Sequence, residues 1–211
     1  MTVPASPAGR LPGVERAVLR DGSTVHIRPI SPEDKTALAR AFDHLDPDSR
    51  YRRFLSAVKR LDAKALRYFT EVDHVGHEAL VAIEPDDGEL VGVVRYVRLA
   101  EHPEAAEVAM TVADGWRGRG LATVLLAELT TRARAAGVKR FVATCLSFNR
   151  DATKVLASLG PTTVKQCDEG VSELTVELSA AAAETALQVA LGHVARGEVA
   201  IRPVGTPEEK R

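Results

Sequence analysis

Little in these 211 residues leans to one side. Lys and Arg number 28 against 29 Asp and Glu, a net charge of −1, so there is no basic excess of the kind a nucleic-acid face requires. No apolar run approaches the roughly 20 residues that span a bilayer, and the opening "MTVPASPAGRLPG" lacks the apolar core of a signal peptide. Two cysteines occur, Cys145 and Cys167, and they make neither a CxxC pair nor a disulfide framework. Nucleic-acid binding, membrane insertion and a disulfide scaffold are therefore set aside, and a cytoplasmic, reducing setting is expected. No internal repeat is visible.

What is present is enough apolar material, 45% of residues, for one domain with a tail. Residues 1–22 open with Pro, Gly and Ala and are expected to be disordered. "STVHIRPI" (23–30) alternates as a strand does. Ser31 and Pro32 then offer an N-cap and a first-turn proline for a helix over 33–43. A second helical stretch is expected over 47–71, interrupted near Leu61 and Asp62. "EALVAIEP" and "ELVGVVRYVRLA" read as strands joined by a "DDG" turn in which Gly88 takes positive φ. "EAAEVAMTVAD" is a third strand in succession. Leu121, Val124, Leu125, Leu129 and Ala133 repeat at helical spacing, with Gly137 as the stop. A strand (138–147), a short helix (149–160) and a closing hairpin (162–179) follow. The segment 180–196 reads as a last helix, with Leu187, Leu191 and Val194 on one face. This order implies a mixed sheet with helices on both faces, an α+β or α/β arrangement. The domain is expected over 23–179 and a helix and tail over 180–211.

The chemistry-bearing stretch is "DGWRGRGLATVLL" (114–126), where arginines and glycines pass directly into a helix. The first turn of a helix carries backbone N–H groups without partners, at the positive end of the macrodipole. Glycines let a ligand approach those amides without meeting a Cβ. A strand, a glycine loop and a helix thus suit a phosphate or pyrophosphate, with Arg117 and Arg119 adding charge. Two phosphate loops do not fit. The P-loop needs Gly-Lys-Ser/Thr, which is missing. The dinucleotide GxGxxG is half met by Gly118 and Gly120, but Thr123 stands at its third glycine, and Arg140 stands near the required acid.

Arg117-Gly118-Arg119-Gly120-Leu121-Ala122 resembles the R/Q-x-x-G-x-G/A loop of the GNAT superfamily of acyl-CoA-dependent N-acyltransferases. The preceding "VAMTVADGW" resembles that family's fourth strand and turn, and Asn149 matches its common cofactor-contacting asparagine. "DGSTVHIRPISPEDKTAL", "DPDSRYRRFLS" and "EVAMTVADGWRGRG" together look like the bacterial Pat-type protein-lysine acetyltransferases. The resemblance implies the GNAT fold, splayed at its fourth and fifth strands. It implies acetyl-CoA as the acyl donor, with its pyrophosphate on the amides of Arg117, Gly118, Arg119, Gly120, Leu121, Ala122 and Thr123. The backbone around Val112 would pair with the pantetheine and polarise the thioester carbonyl.

An amine acceptor such as lysine has a pKa of about 10.4 and arrives protonated. The resemblance assigns the general base to Glu107, directly or through water; on alternation alone, Glu107 is an exposed residue of a half-buried strand. Many GNAT enzymes carry a tyrosine seven positions after the asparagine as acid for the departing thiolate. Leu156 stands there, which leaves the thiol's proton to water.

Other features are weighed without metal chemistry. "DHVGHE" places His74 and His77 three apart, but further ligands at suitable geometry are missing. Cys145 suits core filling. "SRYRRF" offers either a charged helix face with Tyr51 and Phe54 buried, or an acceptor-side wall with Tyr51 and Arg53. The expected activity is acetyl transfer from acetyl-CoA to a primary amine, with a protein lysine favoured, for example on an acyl-CoA synthetase. A small-molecule amine acetyltransferase and a silent acyl-CoA-binding module are the alternatives. The last helix leaves open pairing with a second copy.

Overall fold

The structure is a computed structural model, and it describes residues 15–54, 58–167, 170–178 and 201–202. The expected terminal helix over 180–196 lies outside the described residues. The chain runs through β1 (Glu15–Val18), β2 (Thr24–Pro29), α1 (Lys35–His44), α2 (Pro47–Phe54), α3 (Ala63–Thr70), β3 (His77–Ile83), β4 (Leu90–Arg98) and β5 (Ala105–Val112). It continues with α4 (Leu121–Ala135), β6 (Arg140–Leu146), α5 (Arg150–Ala157), β7 (Thr162–Gln166), β8 (Val171–Glu177) and the two-residue β9 (Ile201–Arg202).

All the strands join one mixed sheet in the order β7-β8-β6-β5-β4-β3-β2-β1-β9. Every pairing is antiparallel except β5 with β6. β1 falls within residues 1–22 and was not expected: Glu15–Val18 pairs with β2 from Glu15↔Ile27 to Val18↔Thr24. The physical reason is the turn between them, closed by Leu19 N–H to the Ser23 carbonyl at 2.8 Å and turned by Gly22 at φ 85°.

Alternation sorts the apolar side chains onto two faces. Leu80 and Ala82 of β3 join Val94, Val108 and Phe141 against Leu125, Leu126 and Leu129 of α4. Ala79 and Val81 face the other way and pack with Ile30, Leu38 and Val93 beneath α1. Central strands covered on both faces read as continuous apolar runs, which is why "ALVA" is buried throughout. The helical stretch breaks before α3 because the Asp62 carboxylate accepts the Ala65 N–H at 2.7 Å and caps a fresh start. The "DDG" turn holds Gly88 at φ 72°.

Leu129 is fully buried on α4. Leu129→Ala is expected to cost about 2–5 kcal/mol of stability, whereas Val164→Ala, at an exposed position, should stay within about 0.5 kcal/mol. Urea unfolding midpoints measure both.

Candidate functional site

The parallel pairing of β5 with β6 has three rungs, Ala105↔Arg140, Ala106↔Phe141 and Glu107↔Val142, and then stops. β5 nevertheless continues to Val112, bound only to β4. Backbone polar groups alternate sides along a strand. Ala113 N–H donates to the Val91 carbonyl at 2.9 Å, and the Ala105 carbonyl accepts from Leu99 N–H at 3.0 Å. The odd-numbered residues of β5 therefore turn their backbone groups to β4, and Met110 and Val112 turn theirs into the gap. Two main-chain positions are left open to a ligand that runs alongside as a strand would.

The gap widens into a cleft of about 600 Å³. Its walls include Met110, Thr111 and Val112 of β5, and Gly118, Gly120, Leu121, Ala122 and Thr123 of the loop and helix start. Asn149, Arg117 and Arg53 line it as well. Gly118 lies at φ 74° and Gly120 at φ 91°, a left-handed backbone that side chains resist. A Cβ on Gly118 would meet no protein atom within 4 Å, so the backbone faces open space. Gly120 is the N-cap of α4 and no side chain caps that end. The first intrahelical bond is Val124 N–H to the Gly120 carbonyl at 3.2 Å. The amides of Leu121, Ala122 and Thr123 thus point out of the helix start with its partial positive charge.

Five basic side chains line the cleft, Arg20, Arg52, Arg53, Arg117 and Lys154, against one acid, Asp151. In a chain of net charge −1 this concentration is local, and it suits an anionic ligand. Two of the loop's charges are committed elsewhere. Arg119, expected to add charge at the loop, does not line the cleft. Its guanidinium lies 3.1 Å from Asp21 and 4.8 Å from the centre of the Trp116 ring, while its carbonyl accepts Arg20 N–H at 3.1 Å. Arg117 is held at 2.9 Å by Asp114 and at 2.5 Å by the Ser49 hydroxyl.

That pair belongs to a clamp that ties α2 to the loop. Asp114 also accepts from Ser49 Oγ at 2.8 Å and from Asp46 N–H at 2.9 Å. The Ser49 hydroxyl and amide pull the Asp46 carboxyl down to about 2. None of Arg20, Ser49 and Asp114 was expected at the site. The signal for Arg20 was the Asp21-Gly22 turn beside it, whereas Ser49 and Asp114 meet only in space.

Glu107 is exposed and lines a neighbouring pocket of about 240 Å³. This pocket shares Arg52, Arg53, Met110, Asn149 and Ala152 with the cleft. Glu107 therefore stands at the end of the gap remote from the glycine loop, about 10 Å along the strand from Met110. Asn149 caps α5 through its Oδ1, which accepts Ala152 N–H at 3.3 Å. Leu156 is buried beside Cys145 and offers no hydroxyl. Tyr51 is 49% exposed and is not among the lining residues of either cavity; of the two acceptor-side candidates only Arg53 is. His74 pairs with Glu78 at 2.7 Å, and His77 lies 3.2 Å from Arg95. Among the described residues no group of three or more His, Cys, Asp or Glu could hold a metal, and no helix is long and apolar enough to cross a membrane.

The family model for the acetyltransferase (GNAT) domain matches residues 24–162. The chain belongs to the GNAT acetyltransferase family. It is therefore an acyltransferase, and its sheet, with the parallel β5–β6 step, is the GNAT fold. The solved GNAT domain of S. lividans PAT superposes with a TM-score of 0.72 at 35% identity, covering 78% of this chain and 97% of that one. Acetyltransferase PA5475 of Pseudomonas aeruginosa is 33% identical over 67% of this chain and 77% of its own. Acetyltransferase Pat of Mycolicibacterium smegmatis is 32% identical over 76% of this chain, which spans 47% of that longer protein.

The clamp should hold the GNAT loop in place. Asp114→Ala is expected to destabilise by about 1–3 kcal/mol and to speed hydrogen exchange at the Asp46 amide and through 114–118. Mass-resolved exchange would measure this, and unchanged protection would show the clamp to be incidental.

Proposed function

We propose that this GNAT domain transfers the acetyl group of acetyl-CoA to a protein lysine in the cytoplasm, on an acceptor such as an acyl-CoA synthetase. The observation that carries the reading is the stretch of β5 that runs free of β6, with a glycine loop at one end and a carboxylate at the other. The loop amides from Arg117 to Thr123 suit the pyrophosphate, and the N–H groups of Met110 and Val112 suit the pantetheine and the thioester oxygen. Likeness to the Pat relatives supports the lysine.

The chemistry balances with the groups present. Glu107 accepts a proton from the arriving ammonium, through water where the amine stands off. The neutral nitrogen attacks the thioester carbon, and a backbone amide of β5 stabilises the charge that builds on oxygen. The C–S bond breaks as the amide forms. Coenzyme A is a thiol with a pKa of about 8.5, so it can leave as thiolate and take its proton from water, consistent with leucine at position 156.

Glu107→Gln is expected to lower kcat at least about 100-fold while leaving the affinity for coenzyme A unchanged. Gly120→Val should do the reverse, because a side chain at that φ costs roughly 1–2 kcal/mol and a Cβ there already touches Arg20 at 3.4 Å. Calorimetry and thiol-release kinetics separate the two effects. Release with an acyl-CoA synthetase supports the lysine acceptor, release only with small amines supports a small-molecule enzyme, and tight binding without release supports a silent module.

A further inference from the structure

On the sheet face opposite α4, a cavity of about 50 Å³ lies beneath α1 and α3. Its lining is mostly apolar, including Leu38, Leu61, Phe69 and Ala109, with Thr111 and two guanidiniums, Arg53 and Arg95, as its polar members. Arg95 is only 5% exposed. A buried cation is costly unless it is paired, yet none of the ion pairs among the described residues includes it. Its Nη1 donates to the Phe69 carbonyl at 3.3 Å and lies 3.2 Å from His77 Nε2, and its guanidinium rests 4.5 Å from the centre of the Phe69 ring. Nε and Nη2 have no hydrogen-bond partner among the described residues. The one fully enclosed, unpartnered side-chain atom among the described residues is Thr130 Oγ1, so those two nitrogens keep access to the cavity.

Local charge adds a second reason. Burial and the Arg53 charge lower the Arg95 pKa to about 9, which leaves it protonated at neutral pH. Burial lowers that of Arg53 too, while Glu107 opposes the shift. His77 is driven to about 4 by burial and by Arg95 and stays neutral. Arg53 is therefore coupled electrostatically to Glu107 on one side and to Arg95 on the other.

The register places these groups together. Arg95 stands opposite Ala109 and Val97 opposite Glu107, so Arg95 and Glu107 share a face as diagonal neighbours, roughly 7–8 Å apart. Arg53 lines the Arg95 cavity, the Glu107 pocket and the large cleft. The cavity's volume is that of a few water molecules, at about 10–15 Å³ each on this measure. It can take a carboxylate but not a phosphorylated or sugar-sized group.

We propose that Arg95, with Arg53 beside it, is a carboxylate-binding subsite that selects an amine acceptor whose own carboxylate lies a side chain's length from the reacting nitrogen. On the protein-lysine reading, on which this part of the inference rests, the acceptor lysine is flanked by Asp or Glu. An α-amino acid, whose amine and carboxylate share one carbon, is too short to bridge Glu107 and Arg95.

The test uses the full chain with two matched acceptor pairs. One pair is a lysine peptide with Glu or Gln beside the lysine; the other is 6-aminohexanoate and 6-aminohexanamide. The carboxylate partner is expected to have a kcat/KM at least about ten-fold higher, as a charged hydrogen bond allows. In Arg95→Gln the ratio should fall to within about two-fold. Because the ratio is internal, a loss of stability in the variant does not mimic this. Preference within the small pair with inert peptides supports the subsite and overturns the lysine reading alone. Equal use of both partners, or a preference that survives in Arg95→Gln, overturns the subsite. If no amine turns over, the Arg95 Nε–H resonance, assigned by its loss in Arg95→Gln, decides. A shift with 6-aminohexanoate but not the amide supports the proposal, and no shift refutes it.

Discussion

The site rests on a ladder that ends early. β5 and β6 share three rungs and part after Glu107, although β5 keeps its bonds to β4 as far as Val112. Backbone groups taken from water and left unpaired cost free energy, so a strand edge of this kind inside a sheet is tolerated only where water or a ligand can reach it. The same opening makes room for the start of α4, whose uncapped amides face the same space. One topological event thus supplies both an open strand edge and a cleft lined by uncapped helix amides.

Keeping the gap open falls to side chains far apart in the chain. α2 packs across both β5 and β6, and Ser49 on it meets Asp114 and Arg117 of the loop. On the other side, Arg119 and its carbonyl fasten the loop to the β1–β2 turn through Asp21 and Arg20. The loop is held at both flanks, while the amides between them remain exposed to the cleft.

The charge distribution separates the two halves of the site. Basic residues gather along the cleft by the glycine loop, whereas the far end of the gap brings the carboxylate of Glu107 near Arg53 and, through it, the buried Arg95. Arg53 borders both halves, since it lines all three cavities. Such a net charge of −1 for the chain conceals both arrangements, because formal charge says nothing about where the charges meet.

Much of this was legible in the residues. Alternation and helical spacing marked β2 to β8 and α1 to α5, and the Arg117–Thr123 loop stood out because only glycine is at ease at the positive φ of positions 118 and 120. β1 was not expected, although Asp21-Gly22 ahead of an alternating strand is a hairpin signal. Its four residues are too short to show a period of their own. The direction of Arg119, the exposure of Tyr51 and the Ser49–Asp114–Arg117 contacts were not legible, since local pattern carries no information about partners 65 or 68 positions away. The sequence alone determined the order of the elements, the loop and the residue types at hand, because these follow from backbone preference and apolar period. The tertiary structure alone decided where β5 leaves β6 and that Arg95 joins no ion pair among the described residues, because both depend on side chains packed from across the chain.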